Sequence, residues 1–255
     1  MDKLPVEMLL GIFELVSYKN LKNVVLVCRR WREIGETPRL WSSFPVIVKT
    51  RNMSVMSEIL RSRRMKQLEK LRIESTLSEE VSQTIIDHPV LRKFKLSGGN
   101  DKQAIISVLN VICSRSVQGT VLDMNGNEMT TVNPELLAKV VTKLQKFFID
   151  YTKLTQLQAA AILTAVSEGS RLTALIISRN NLSGADPGLM AKAFNNLEAL
   201  DISQTKLTPQ QAAAILTGVS EGSKMKELTI YGNNLSGIDS GLLARAAEKL
   251  KYFCK

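Results

Sequence analysis

The chain has one histidine, three cysteines and aromatic residues at only 5% of its 255 positions, and each scarcity removes a class of function. The histidine, His88, precedes Pro89 and has no Cys, Asp or Ser arrangement beside it that would make a catalytic triad or a metal set. Cys28, Cys113 and Cys254 are odd in number and widely spaced, so they form neither a disulfide framework nor a zinc pattern. That usage suits a reducing compartment, cytosol or nucleus. The few aromatics give no stacking platform for bases, which argues against a nucleic-acid partner despite a net charge of +10. No run approaches the roughly 18 apolar residues of a membrane span. The N-terminus lacks a charged-then-apolar leader with a small-residue cleavage site. Neither a P-loop nor a dinucleotide fingerprint occurs. The expectation is a protein with no cofactor, no metal, no membrane role and no catalysis of its own.

The positive charge has a location. Residues 1–66 hold 13 Lys/Arg against 6 Asp/Glu, with the densest cluster at Arg61, Arg63, Arg64 and Lys66. Such a cluster is either a solvated helix end or a surface for an acidic or phosphorylated partner.

The segment from Leu4 to Trp41 reads as short amphipathic helices. Pro5 fits the first turn of a helix, where its missing N–H costs nothing. Glu7 opposes the helix dipole favourably in the same turn. Leu9, Ile12, Phe13 and Val16 follow at i, i+3, i+4, i+7, an apolar face. After Lys19-Asn20 a second helix is expected, with Leu21, Val24, Val25 and Cys28 on one face and Val27, Trp31 and Ile34 beside it. Pro38 ends that run. About forty residues cannot bury all these faces among themselves. Some apolar surface must therefore meet either the following domain, as a helical cap on a repeat array, or another protein.

In identity or type and in order, Leu4, Pro5, Glu7, Leu10, Ile12, Phe13, Leu15, Leu21, Val27, Cys28, Arg30, Trp31, Leu40 and Trp41 resemble the F-box pattern over its full length. The sequence departs from that pattern at Val16–Asn20, where the family often has Leu and an acidic residue. The resemblance implies that Leu4, Pro5, Glu7, Leu9, Leu10, Ile12, Phe13, Leu15, Leu21, Val27, Cys28 and Trp31 bind a Skp-type adaptor. It implies a cullin and a ring-finger subunit reached through that adaptor, and a late Trp that joins the motif to the domain behind it.

The rest of the chain is periodic. Ala159–Thr164 returns as Ala212–Thr217, 53 residues later, Val166–Ser170 returns as Val219–Ser223, and Asn180–Gly184 as Asn233–Gly237. Each 53 contains two shorter units. Phe94, Leu122, Phe147, Leu175, Leu200, Leu228 and Phe253 fall alternately 28 and 25 apart, and Leu71 and Ile47 extend the series toward the N-terminus. Leu172, Leu175, Ile177, Asn180 and Leu182 spell the leucine-rich-repeat signature. The alternation of Asn127, Asn180 and Asn233 with Thr152 and Thr205 resembles the ribonuclease-inhibitor type. These Asn and Thr side chains are expected to satisfy buried backbone groups where the chain leaves each strand. Thr155-x-x-Gln158 and Thr208-x-x-Gln211 are capping boxes, Asn133-Pro134 and Asp186-Pro187 open the intervening helices, and Gly169 and Gly222 sit at left-handed C-caps.

The expected fold is therefore α/β: a helical F-box motif at residues 1–43, then a leucine-rich-repeat solenoid over residues 44–255, with a parallel concave sheet and a helical convex face. Side chains alternating with the buried leucines should point to the concave face. Lys93, Lys95, Asp123, Asn125, Phe148, Asp150, Tyr151, Ile176, Arg179, Asp201, Thr229 and Tyr231 are the candidate substrate contacts. Phe148, Tyr151, Ile176 and Tyr231 are the candidate anchors, because aromatics enrich interface hot spots. Two functions follow. One is a substrate-recognition subunit of an SCF-type ubiquitin ligase, implied by the F-box resemblance. The other is a stand-alone repeat scaffold whose N-terminal helices are a cap.

Overall fold

The computed structural model describes residues 4–42, 44, 46–99 and 101–255. Ser43, the last residue of the expected helical motif, lies outside them. Four short helices come first: α1 (Val6–Glu14), α2 (Tyr18–Val24), α3 (Arg29–Gly35) and α4 (Pro38–Trp41). Strand and helix then alternate. The strands are β1 (Val46–Val48), β2 (Lys70–Ile73), β3 (Lys93–Leu96), β4 (Thr120–Asp123), β5 (Leu144–Phe148), β6 (Ala174–Ile176), β7 (Ala199–Asp201), β8 (Glu227–Thr229) and β9 (Tyr252–Cys254). The helices between them are α5 (Met53–Arg61), α6 (Glu79–Asp87), α7 (Lys102–Ser114), α8 (Pro134–Val141), α9 (Gln156–Ser167), α10 (Pro187–Phe194), α11 (Pro209–Ser220) and α12 (Ser240–Lys249). Among the described residues these nine strands are parallel and lie side by side in sequence order. This is a helical N-terminal segment followed by an α/β solenoid.

The register makes the sequence period physical. Leu71, Phe94, Leu122, Phe147, Leu175, Leu200, Leu228 and Phe253 are paired in one row across the sheet, and from Leu71 to Leu228 each is buried against the helices. At the N-terminal end the row continues at Val46, not at Ile47. Ile47 pairs with Arg72 in the outward row. β1 is three residues long and lacks the strict alternation of its neighbours, so its phase was not fixed by pattern.

Strand and helix ends follow the local chemistry. Thr155 and Thr208 each accept from the N–H of the Gln three residues on, and Gln158 and Gln211 reach back to the cap N–H, so both capping boxes are formed. Asn133, Asp186 and Asp239 cap α8, α10 and α12 through their side-chain oxygens. Gly169 and Gly222 take φ of 102° and 116° just past α9 and α11, a region that favours glycine.

Where each strand ends, a buried amide closes the turn. The Asn180 amide donates to the carbonyls of Ile149, Ile177 and Ser178 at 2.8–3.1 Å, and its oxygen accepts from the N–H groups of Thr152 and Leu154. Asn233 does the same for Ile202, Ile230, Thr205 and Leu207. Thr152 and Thr205 donate to the carbonyls of Ile149 and Ile202. The structure thus gives these Asn and Thr residues the backbone-satisfying role expected of them.

One buried cation was not legible in the sequence. Arg115, just after α7, is 1% exposed. Its guanidinium donates to the carbonyls of Ile85, Ile86, His88 and Leu91 and lies 5.5 Å over the Phe94 ring. The first of these acceptors belong to the last turn of α6. A cation at a helix C-terminus meets the negative end of the dipole and supplies donors to carbonyls that have no partner within the helix. Arg115 is therefore the C-cap of α6, delivered from the next unit. Burial lowers its pKa, yet an arginine stays charged at neutral pH.

His88 lies beside it. Its Nε2–H donates to the Met65 carbonyl at 2.9 Å, and Nδ1 is buried without a partner. Burial, and secondarily the charge of Arg115, holds the imidazole below its ordinary pKa, against the opposing hydrogen bond to Met65. The native state therefore keeps His88 neutral while an unfolded chain protonates it near pH 6.5. This contribution to stability is complete above about pH 6.5 and is lost as pH falls through that value toward the folded pKa. Because His88 is the chain's only histidine, the effect is separable. The melting temperature is expected to fall between pH 7.5 and 5, with a shallower fall for His88→Gln.

Candidate docking surfaces

The candidate contact residues fall on two surfaces, one on the N-terminal helices and one on the open face of the sheet. In α1, Leu9 and Phe13 turn inward, and Phe13 meets Trp31 of α3 edge-to-face at 5.3 Å. Leu21 is fully buried from α2. A Cβ at Gly35 would come within 2.7 Å of Val25 Cγ1, so α3 could not approach so closely with a larger residue. Trp41 is buried, donates its Nε1–H to the Gly35 carbonyl at 2.7 Å, and lies under the Arg64 guanidinium at 5.1 Å. Arg64 in turn pairs with Glu36 at 3.0 Å. Trp41 thus fastens the helical segment to the solenoid, as expected for the late Trp.

What remains outside is strongly apolar. Ile12 is exposed, Leu15 is 90% exposed, and Val27 projects beside the exposed Cys28 thiol. Val6, Met8 and Leu26 are also exposed, Leu26 by 71%. Pro5 is the residue just before α1 and, with Glu7, is exposed. Leu4, Leu10 and Trp31 are half-buried. Three of the expected adaptor contacts are therefore placed elsewhere: Leu9, Phe13 and Leu21 are core residues of this chain and are not offered to a partner. Val6, Met8 and Leu26 take their place on the surface. α1 is apolar almost all the way round, so the spacing of apolar residues does not tell the inner face from the outer one.

The open face of the sheet carries two outward rows, set by strand register. The first is Lys70, Lys93, Val121, Lys146, Ala174, Ala199, Glu227 and Tyr252, and the second is Ile47, Arg72, Lys95, Asp123, Phe148, Ile176, Asp201, Thr229 and Cys254. Lys93 pairs with Glu69 at 3.3 Å and Lys95 with Asp123 at 2.8 Å. Phe148 and Ile176 are adjacent and half-buried, with the buried Ala174 next to Ile176. Beyond the strand ends, Asn125 accepts from the Asp150 N–H at 2.7 Å. Asp150 accepts from the Ser178 hydroxyl and from two guanidinium nitrogens of Arg179, at 2.8–3.0 Å. Asn125 and Asp150 thus hold the rim in place and have little left for a ligand, while Arg179, Tyr151 and Tyr231 stand exposed above it.

Tyr151, Arg179 and Gln204 have φ of 53°, 56° and 55°. The equivalent positions of the neighbouring units are Gly126 and Gly232, which adopt this region freely. An L side chain there costs roughly 1 kcal/mol or more. Three consecutive units therefore keep large side chains on the rim where the backbone favours glycine. Nothing in the sequence pattern marked this strain.

Among the described residues no group of three or more His, Cys, Asp or Glu could hold a metal ion, and no helix is long and apolar enough to cross a membrane. A comparison with curated proteins gives no match to the chain. A family model does match its N-terminal part: residues 1–44 fit the F-box-like family, over the segment whose helices present the apolar surface just described.

Proposed function

We propose that the chain is the substrate-recognition subunit of an SCF-type ubiquitin ligase. In this reading residues 1–43 dock a Skp-type adaptor and, through it, a cullin and a ring-finger subunit. Residues 44–255 form a leucine-rich-repeat domain of the ribonuclease-inhibitor type whose open face holds the protein to be modified. The observation that carries the reading is the coincidence of the F-box-like match with solvent-facing Ile12, Leu15, Leu26 and Val27. Large exposed apolar side chains concentrated in one short segment favour a protein contact. Catalysis then belongs to other subunits, and this one supplies proximity and orientation. The free cysteines accord with the cytosol or nucleus.

The test is a pull-down of the full chain with a recombinant Skp-type adaptor. Ile12→Asp with Leu15→Asp is the variant of choice, since both side chains are exposed and the fold should survive. Burying such a side chain contributes about 1.5–3 kcal/mol, so loss of two should weaken adaptor binding by about 100-fold or more with little change in melting temperature. Phe13→Ala would be uninformative, because that ring is core and its removal costs about 3–5 kcal/mol of stability. Wild-type chain that elutes alone, folded, would instead favour the scaffold whose N-terminal helices are a cap.

A further inference from the structure

The two outward rows change sign midway along the solenoid. β2 to β5 carry five cations there (Lys70, Arg72, Lys93, Lys95 and Lys146) against the single anion Asp123. β6 to β9 carry no cation and two anions, Asp201 and Glu227. Local pairing offsets part of the basic excess and shows which charges stay open. Asp123 is taken by Lys95, while Glu69 and Glu74, just outside the rows, engage Lys93 and Arg72. Lys70 and Lys146 are left in no ion pair among the described residues, and so are Asp201 and Glu227 at the other end, where one Asp201 oxygen accepts from the N–H and hydroxyl of Ser203 and the other stays open. Between them lies the apolar step of Phe148 and Ile176.

We infer that this face selects an extended protein segment whose side chains run from acidic through apolar to basic, laid across the strands with its acidic end over β2–β4 and its basic end over β7–β8. The inference rests on the reading that the open face takes a protein substrate, and it names the class. Complementary fields fix register and reject wrong partners more than they add raw affinity. Exposed pairs such as Lys93–Glu69 contribute under about 1 kcal/mol, so an incoming carboxylate can replace Glu69 at little cost. From β2 to β8, six inter-strand steps of about 4.8 Å make about 29 Å, the reach of about nine extended residues.

The probes are fluorescein-labelled ten-residue peptides, read by anisotropy on the full chain at physiological salt. A block peptide has three acidic residues, a Leu-Phe pair flanked by serines, and three basic residues. An interleaved peptide has the same composition with alternating charges, and an all-acidic peptide replaces the basic residues. The block peptide is expected to bind at least tenfold tighter than the interleaved one. Asp201→Lys with Glu227→Lys should weaken the block peptide at least tenfold and strengthen the all-acidic one as much. Glu227→Lys alone, at a side chain with no partner among the described residues, should likewise weaken the block peptide and strengthen the all-acidic one without disturbing the fold. Equal binding of block and interleaved peptides, no binding of either, or a wild-type preference for the all-acidic peptide would overturn the inference, the last exposing a plain polyanion surface. A chain that captures the adaptor but does not sort the peptides refutes this inference and leaves the receptor reading standing. A chain that sorts the peptides and ignores the adaptor does the reverse.

Discussion

Replacing Asn180 by alanine is expected to cost about 4 kcal/mol of stability, far more than the same change at its neighbour Asn181. The Asn180 carboxamide is buried and uses both of its atoms. Without it the N–H groups of Thr152 and Leu154 lose their acceptor, while the Ile149 carbonyl keeps the Thr152 hydroxyl. Two orphaned buried donors at roughly 1–3 kcal/mol each account for the estimate. The exposed Asn181 side chain bonds locally to Ser183, its backbone carbonyl bond from Gln156 survives the change, and Asn181→Ala should cost about 1 kcal/mol or less. Denaturant titration compares the two. Hydrogen exchange locates the damage, because the amides of Thr152 and Leu154 should lose protection first in Asn180→Ala. Similar midpoints for the two variants would show that the buried amide is not what holds the turn.

Arg115→Met should lower stability by about 3 kcal/mol. Methionine fills much of the same space but donates nothing, so the buried carbonyls of His88 and Leu91 lose their guanidinium donor, that of Ile86 loses a weaker one, and that of Ile85 keeps the His88 N–H at 3.3 Å. Recovery of the guanidinium's hydration in the unfolded state no longer opposes folding, which keeps the loss below the sum of the separate bonds. Arg115→Lys restores a charge but not the planar fork that reaches four acceptors, and should recover only part of the loss. A second readout separates capping from packing. Removing the guanidinium takes a positive charge away from His88, so the folded imidazole pKa should rise toward its ordinary value. The acid-induced loss of stability should then shrink in Arg115→Met, an effect a purely steric role would not produce.

Much of this molecule is written in periodic positions. The leucine row, the capping boxes at Thr155 and Thr208, and the Asn/Thr alternation follow from local chemistry that repeats every unit, so sequence spacing carries them directly. What escaped spacing is what depends on a single neighbour. The inward side of α1 is decided by the ring of Trp31 and not by a gap in a helix that is apolar nearly all round. Arg115 reads as a surface cation after an apolar helix, and only the position of the α6 carbonyls makes it interior. The open-face candidates Phe148, Tyr151, Ile176 and Tyr231 were reachable by alternation. That Asn125 and Asp150 serve the rim instead was not, since their partners come from adjacent strands and from Arg179, a unit away. The phase of β1 slipped by one residue because three residues beside the helical segment carry too little alternation to fix it.

The direction of the buried polar contacts has a consequence for how the chain is made. Asn180 reaches back to Ile149, Asn233 to Ile202, Gln158 to Met129 and Val132, Gln211 to Leu182 and Ala185, and Arg115 to the turn after α6. In each case a unit's turn is completed by a side chain of its successor. On the ribosome the N-terminal parts emerge first, so a newly exposed unit waits, its turn carbonyls still hydrated, until some 24 to 31 further residues have followed. Assembly would then advance as a front that trails synthesis by one unit, and a pause in translation within the solenoid would leave unfinished only the last unit to appear.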